Sequence, residues 1–402
     1  MTGRFLWDRS ERREREPRDD ARRDHLEAAH RHTALALRDD VPVRRRKRDA
    51  RERHQRPDTH AKSSATPNGA GSSGRTLRAV VGLATAGLAG SALANYGLAR
   101  RAASAAPPRG RFVTSAACRL HVYERGQGPS VVLLHGLGTA LDDFVSSGLF
   151  AALGQQFRVS AVDRPGYGHS DRPRDRVWTA EEQARVIRNA LVQRGTSERI
   201  VLVGHSWGSL VALAWALQHP GEVAGLVLLA PYLYPTPRTD IMMMSPPVIP
   251  VLGDILRYSV MPWVNRMTVP AMYKRMFAPH AVPGRFYEDV PVEMAVRPLT
   301  IRAIAEDAAL MMPTADGLQH RYDELRMPVS LLAGANDAVT DPHRHSERFG
   351  EEIGNATARL LPGVGHMVHF AAREQVMREV ASIAGQPLTA HPPLPERAAA
   401  IR

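Results

Sequence analysis

Cysteine is almost missing: Cys118 stands alone among 402 residues. A single thiol excludes an intrachain disulfide framework and any metal site built on several cysteines. It falls in an early apolar run, where a small core residue is expected rather than a nucleophile. An evenly spread excess of positive charge is missing too. The net charge is +12, but residues 1–78 hold 21 of the 53 Lys and Arg against 13 of the 41 Asp and Glu. The high charge therefore describes an N-terminal arm. The rest of the chain is close to balance, so no nucleic-acid partner is expected for the folded body.

That arm in turn lacks apolar residues. With runs such as Glu11-Arg-Arg-Glu-Arg-Glu16 and Arg44-Arg-Arg-Lys-Arg48 and a Ser/Gly-rich stretch at 63–74, it cannot bury enough to offset ordering entropy. Residues 1–78 are expected to be a disordered basic tail, and 387–402 a flexible C-terminal one. The 44–48 run suits anionic lipid or nucleic acid, but a solvated charged arm accounts for it.

Residues 79–99 lack charge altogether. As a helix, 21 residues reach about 30 Å, the depth of a bilayer core. The run is rich in Ala and Gly and carries a polar Asn95, with Arg75 and Arg78 before it and Arg100 and Arg101 after it. The favoured reading is a single-pass membrane anchor and linker over 79–106, of open orientation because arginines flank both ends. The competing readings are an export signal cut near Ala103-Ser104-Ala105, and a helix packed on a cytoplasmic domain.

What is present in strength is a pattern around 200–208. Ile200-Val-Leu-Val203 reads as a strand buried on both faces, followed by Gly204-His-Ser-Trp-Gly208 and a helix-forming apolar run to Gln218. Strand, sharp turn and helix form the context of a nucleophile elbow. Ser206 sits at a strained turn, and the positions two residues either side must be small. Further strands are expected near 111–114, 120–124, 130–134, 157–162, 223–229, 327–333 and 356–361, with a capped helix from Thr179. Alternating strands and helices indicate an α/β, doubly wound, mostly parallel sheet covered on both faces, with its core at 107–230 and 327–386.

Three loops beyond strand ends carry candidate chemistry. His135-Gly136-Leu137 follows one strand; the N–H groups of Leu137 and Trp207 are the oxyanion donors such a geometry supplies. His135 and Asp163 read as structural residues. Asp337 follows the penultimate strand, while Asp341-Pro342 opens the next helix as a cap and leaves Asp337 as the acid. His366 follows Gly365 beyond the last strand and is preferred over His369 as the base. Between 231 and 326 the alternation stops. This stretch holds 10 of the 14 methionines and 13 of the 30 prolines, and is expected to form a cap of short helices cut by prolines such as Pro262 and Pro270. Met242, Met243 and Trp263 are expected to roof an apolar pocket.

In these motifs residues 111–386 resemble the α/β-hydrolase superfamily, in its capped serine-nucleophile branch. They are His135-Gly136, Asp163-Arg-Pro-Gly-Tyr-Gly-His-Ser170, Gly204-His-Ser-Trp-Gly208, Asp337 and Gly365-His366. The resemblance implies an eight-stranded sheet with a helical lid, a Ser206–Asp337–His366 triad in that family's chain order, and acyl-enzyme chemistry needing no metal or organic cofactor. It implies a hydrolase for carboxylic esters of apolar, small-to-medium acyl substrates. Alternatives on the same triad are a cofactor-free perhydrolase and a carbon–carbon bond hydrolase; one of another class is a non-catalytic, membrane-tethered binding protein. Relatives resembling epoxide hydrolases or haloalkane dehalogenases carry Asp at the elbow, against Ser206 here. The motifs set neither the substrate nor an oligomeric state.

Overall fold

The computed structural model describes residues 70–115, 118–192 and 199–387. The expected disordered arm as far as residue 69, and the expected tail from 388 on, lie outside the described residues. Helix α1 (Ala70–Ala105) leads into strands β1 (Arg111–Thr114), β2 (Arg119–Arg125), β3 (Ser130–Leu134) and β4 (Arg158–Val162). Helix α2 (Ala180–Val192), β5 (Ile200–His205), α3 (Gly208–Gln218) and β6 (Val223–Leu229) follow. Next come α4 (Leu252–Ser259), α5 (Met261–Phe277) and α6 (Pro298–Gln319), then β7 (Val329–Gly334), β8 (Ala356–Leu361) and α7 (Arg373–Ile383).

The eight strands form one sheet in the order β1-β2-β4-β3-β5-β6-β7-β8. β2 runs antiparallel to β1 and β4, and the other neighbours are parallel. Alternation along each strand divides the core in two. Val131, Leu133, Val201 and Val203 enter one cluster; Val132, Leu134, Ile200 and Leu202 enter the other. Period-two side chains on a sheet covered on both faces give this division. It explains why residues 131–134 of β3 and 200–203 of β5 are apolar without interruption.

Helix starts follow local signals. Thr179 Oγ1 accepts from the N–H of Glu182 at 3.2 Å, as the expected cap of α2 requires. Helix α1 begins at Ala70 rather than near 79. No strand is described between β6 and β7, but the helices there are longer than the prolines suggested. α5 runs for 17 residues with Pro270 inside it, and α6 for 22 residues with Pro313 inside. Pro262 and Pro298 sit in the first turns, where a missing N–H costs nothing. The interior prolines are held by packing. Val269, Tyr273 and Phe277 are buried around Pro270, and tertiary burial outweighs propensity.

Candidate active site

Ser206 follows β5 directly and has φ of +51°, a left-handed conformation that costs an L-residue about 1–2 kcal/mol. Its own N–H is held by the carbonyl of Leu229 at 2.9 Å. The flanking glycines are required by close approach. A Cβ on Gly204 would meet the Cα of Ser209 at 2.7 Å, and one on Gly208 would drive into the carbonyl oxygens of Leu134 and His135. The turn therefore presses against the end of β3, and a Cβ on Gly136 would lie 3.2 Å from that of Ser206. The N–H groups of Leu137 and Trp207 donate no hydrogen bond among the described residues. Two free donors thus flank the serine.

His366 and Asp337 come together across the β7 and β8 loops. Asp337 Oδ2 accepts from His366 Nδ1 at 2.8 Å, and both side chains are buried. Asp337 also accepts from Thr340 Oγ1 at 2.7 Å and from the N–H groups of Val339 and Thr340 at 2.7 and 3.0 Å. Burial works to raise its pKa. The charge and hydrogen bond of His366, with those from Thr340, outweigh it and hold the carboxyl below its ordinary value. The loops are tied to each other as well: Asn336 N–H donates to the carbonyl of Val364, and Gly363 N–H to Asn336 Oδ1. Asp341 caps the following turn through the N–H groups of His343 and Arg344. Among the described residues Ser206 Oγ makes no hydrogen bond to His366.

The bridge between elbow and base is a residue the sequence left unassigned. His205 Nε2 donates to the carbonyl of His366 at 3.2 Å, and the two rings lie 4.9 Å apart. Burial first, then the neighbouring His369 and His366, drive the His205 pKa well below its ordinary value and keep the ring neutral. Its signal in the sequence was its place between Gly204 and Ser206. His369 is turned away from Asp337: Nε2 lies 3.0 Å from Asp143 Oδ1 in a fully buried pair. Asp143, His205 and His369 set their donor atoms within 4.8 Å of one another, close enough for a cation. The His369–Asp143 contact is the one hydrogen bond within the cluster; Asp143 Oδ2, His205 Nδ1 and His369 Nδ1 have no hydrogen-bond partner among the described residues.

His135 shapes the Leu137 loop. Its Nδ1 donates to the carbonyl of Gly136 at 2.9 Å and its Nε2 accepts from the N–H of Arg164 at 3.0 Å. Burial, then the charge of Arg164, lower its pKa to about 4. Asp163 holds the neighbouring turns through His121 Nδ1 at 2.7 Å and the N–H groups of Leu141 and His169, both at 2.9 Å. Cys118 is buried, and burial raises its thiol to about 12.

A buried ionic network also escaped the sequence. Asp307 on α6 meets Arg164 at 2.7 Å and Arg172 at 2.9 Å, all three side chains fully buried. Tyr167 and Gln183 complete it at 2.8 and 3.0 Å. Nothing in the spacing of Arg164, Arg172 and Asp307 marks them as partners.

Of the expected roof, Met243 and Trp263 are placed elsewhere. Met243 is 78% exposed, and the Met242 side chain lies outside the described residues. Trp263 donates from Nε1 to Ser91 Oγ at 2.8 Å, on α1. Nearer the site, Met272 Cε lies 3.2 Å from where a Cβ on Gly138 would stand, and a Cβ on Gly365 would meet the carbonyl of Ala278 just past α5. The C-terminal end of α5 thus covers the loops of both Leu137 and His366.

A family model described as alpha/beta hydrolase fold matches residues 129–372. Haloalkane dehalogenase 2 of Mycobacterium tuberculosis is 26% identical over 287 residues, 67% of this chain and 93% of that protein. An esterase from Thermogutta terrifontis superposes with a TM-score of 0.52 at 21% identity, over 68% of this chain and 96% of its own. The carboxylesterase CesB from Bacillus subtilis does so with a TM-score of 0.54 at 18% identity, over 73% and 98%. At these identities the two structures speak for the fold.

Proposed function

Since the chain belongs to the α/β-hydrolase fold family and is a hydrolase, we propose that it cleaves a carboxylic ester of an apolar, small-to-medium substrate by serine nucleophilic catalysis. The observation that carries this reading is the buried Asp337–His366 pair, joined through His205 to a serine held at φ +51° between two unpartnered N–H groups.

In this reading Asp337 accepts the Nδ1 proton of His366, which leaves Nε2 free to take the proton of Ser206 Oγ. Substrate binding brings these two atoms within hydrogen-bond reach; catalytic hydrogen bonds commonly tighten only in the complex. Oγ adds to the ester carbonyl, and the oxyanion meets the N–H groups of Leu137 and Trp207. His366 returns its proton to the departing alcohol. Water, deprotonated by the same imidazole, then releases the acid and restores the serine.

The dehalogenase relative raises a second chemistry, and the nucleophile weighs against it. A carboxylate displacing halide forms an ester that water can cleave. Ser206 would form an alkyl ether, which has no carbonyl for water to attack.

The same proposal assigns 107–230 and 327–386 to the catalytic core and 231–326 to a cap that shapes substrate choice. It assigns α1 to membrane attachment. Residues 75–105 are apolar enough to cross a bilayer, with a mean hydropathy of 1.5 over the best window, a property an export signal would share.

A fluorophosphonate probe and a burst assay with a nitrophenyl ester test the reading. Labelling is expected at Ser206, with burst amplitude equal to the labelled fraction. Undiminished labelling of Ser206→Ala would reject the nucleophile. Turnover of haloalkanes without turnover of esters would reject the reaction class.

A further inference from the structure

We infer that α4 and α5, beside the first half of α1, form a surface that docks the catalytic body onto a lipid bilayer, and that the substrate is an ester resident in that bilayer. The substrate half rests on the serine-ester reading above; the docking half does not.

The argument begins with a shortfall of length. Residues 75–90 of α1 are all exposed, and from 79 to 90 they carry no charge. Twelve helical residues reach about 18 Å, against a bilayer core of about 30 Å. The next turns of α1 are tied to the body. Ser91 Oγ donates to the carbonyl of Ser259 at 2.7 Å, and Asn95 Nδ2 donates to those of Tyr258 and Ser259 at 3.0 and 3.1 Å. Arg266 Nη1 donates to Asn95 Oδ1 at 3.0 Å. Asn95 is thereby buried at 1% exposure. α1 cannot carry its full apolar length into lipid and keep these bonds unless the body enters the interface with it.

The body is apolar where this requires it. Alongside the docked turns, Val251, Ile255, Val260, Val264 and Met267 are exposed, Met267 at 82%. Exposed apolar surface continuous over neighbouring helices marks an interaction site. The charges among 248–267 are paired: Asp254 with Arg174 and Arg257, and Arg266 with Glu293. Pairing lowers the cost of approaching lipid. Trp263 and Tyr258 are partly exposed between the polar ties and the apolar face, where aromatic rings favour the headgroup level. Continuity with α1 selects a bilayer over a second copy of the chain.

The same helices lead to the site. Five residues beyond Met267 on α5, Met272 lies beside Gly138. A shallow depression of about 20 Å³ lies between Ala106 at the foot of α1 and Gly138 of the Leu137 loop, lined by Val290, Pro291 and Met294 and by Asp142 and Asp289. α5 thus joins the proposed bilayer face to the loop of the oxyanion donors, and an ester lifted from the bilayer would reach the site along this helix.

The test uses the full chain in phosphatidylcholine vesicles. Cys118 is buried, so a thiol introduced by Met267→Cys, Ile255→Cys or Glu374→Cys takes a fluorophore selectively. Glu374 is an exposed reference on α7. Labels at 267 and 255 are expected to be quenched by spin-labelled lipid and shielded from aqueous iodide, and the label at 374 the reverse. Iodide quenching of all three alike would overturn docking. Shielding at 267 and 255 that depends on protein concentration and ignores spin-labelled lipid would overturn it in favour of a second copy. A Val251→Glu/Met267→Glu double variant should lose at least tenfold in kcat/KM on a vesicle-borne long-chain ester and keep its rate on a water-soluble acetate ester. Equal rates on the vesicle ester before and after substitution would overturn the substrate half. An unsubstituted chain that cleaves neither ester would overturn the serine-ester reading, with the quenching result still deciding docking.

Discussion

The indole N–H of Trp207 donates to the backbone carbonyl of Asp307 at 3.1 Å. The residue after the proposed nucleophile is thus held by the helix that lies over it. The side chain of the same Asp307 meets Arg164, whose Nη2 donates to the carbonyl of Gly136 at 2.9 Å, one residue before the other proposed oxyanion donor. Asp307 therefore ties α6 to both halves of the proposed oxyanion site, through its backbone carbonyl on one side and its carboxylate on the other.

Asp307→Ala should destabilise the protein by about 3–5 kcal/mol, because it leaves two buried guanidinium groups without their shared partner. The measurement is the urea midpoint, with the denaturant slope unchanged. An unshifted midpoint would mean that the network contributes nothing.

Ser206→Gly should be inactive yet more stable than the parent by about 1 kcal/mol, since glycine adopts φ +51° without the Cβ penalty. Ser206→Ala keeps the Cβ and should match the parent in stability. Equal thermal midpoints for the glycine and alanine variants would show that the elbow stores no strain.

The two histidines of the 366–369 loop should separate by readout. His366→Ala should lower kcat by about a thousandfold or more and cost less stability than His369→Ala, because Asp337 keeps its hydrogen bonds from Val339 and Thr340. His369→Ala strips Asp143 of its buried partner and should lower the unfolding midpoint while costing kcat far less. A reversal of these effects would move the base to His369.

Stability should fall in two stages with acid. His135 and His345 are both lowered to about 4, chiefly by burial. His345 Nδ1 accepts from the N–H groups of Leu233 and Tyr234 at 3.1 and 3.2 Å, which only a neutral ring can do. Between pH 6.5 and 4 the unfolded chain takes up protons that these folded rings refuse, so stability declines as pH falls across that window. Each ring contributes roughly 3 kcal/mol at most. Asp163, Asp307 and Asp337 are held below their ordinary values. Their contribution is present above pH about 4 and is lost as pH drops through the lowered values. Urea midpoints against pH should show both stages, and His345→Gln should flatten the first. A curve unchanged by that substitution would place the first stage elsewhere.

Local pattern sufficed wherever one short stretch sets both conformation and role. The run into Gly204-His-Ser-Trp-Gly208 states its own strand, turn and helix, because the backbone there tolerates nothing larger than glycine at 204 and 208. Asp341-Pro342 declares a cap and so leaves Asp337 free for His366, and unbroken apolar strands declare a sheet covered on both sides. Contacts between distant segments carry no such mark. His205 reaches His366 across 161 positions, and Arg164 reaches Asp307 across 143. Periodicity and spacing hold no record of which buried charges will meet. The helices between β6 and β7 show the same limit. Methionine content says that a face is apolar, but only packing against α1 decides that Trp263 binds Ser91. Burial of Val269, Tyr273 and Phe277 offsets the one hydrogen bond that Pro270 cannot donate, and α5 continues through it.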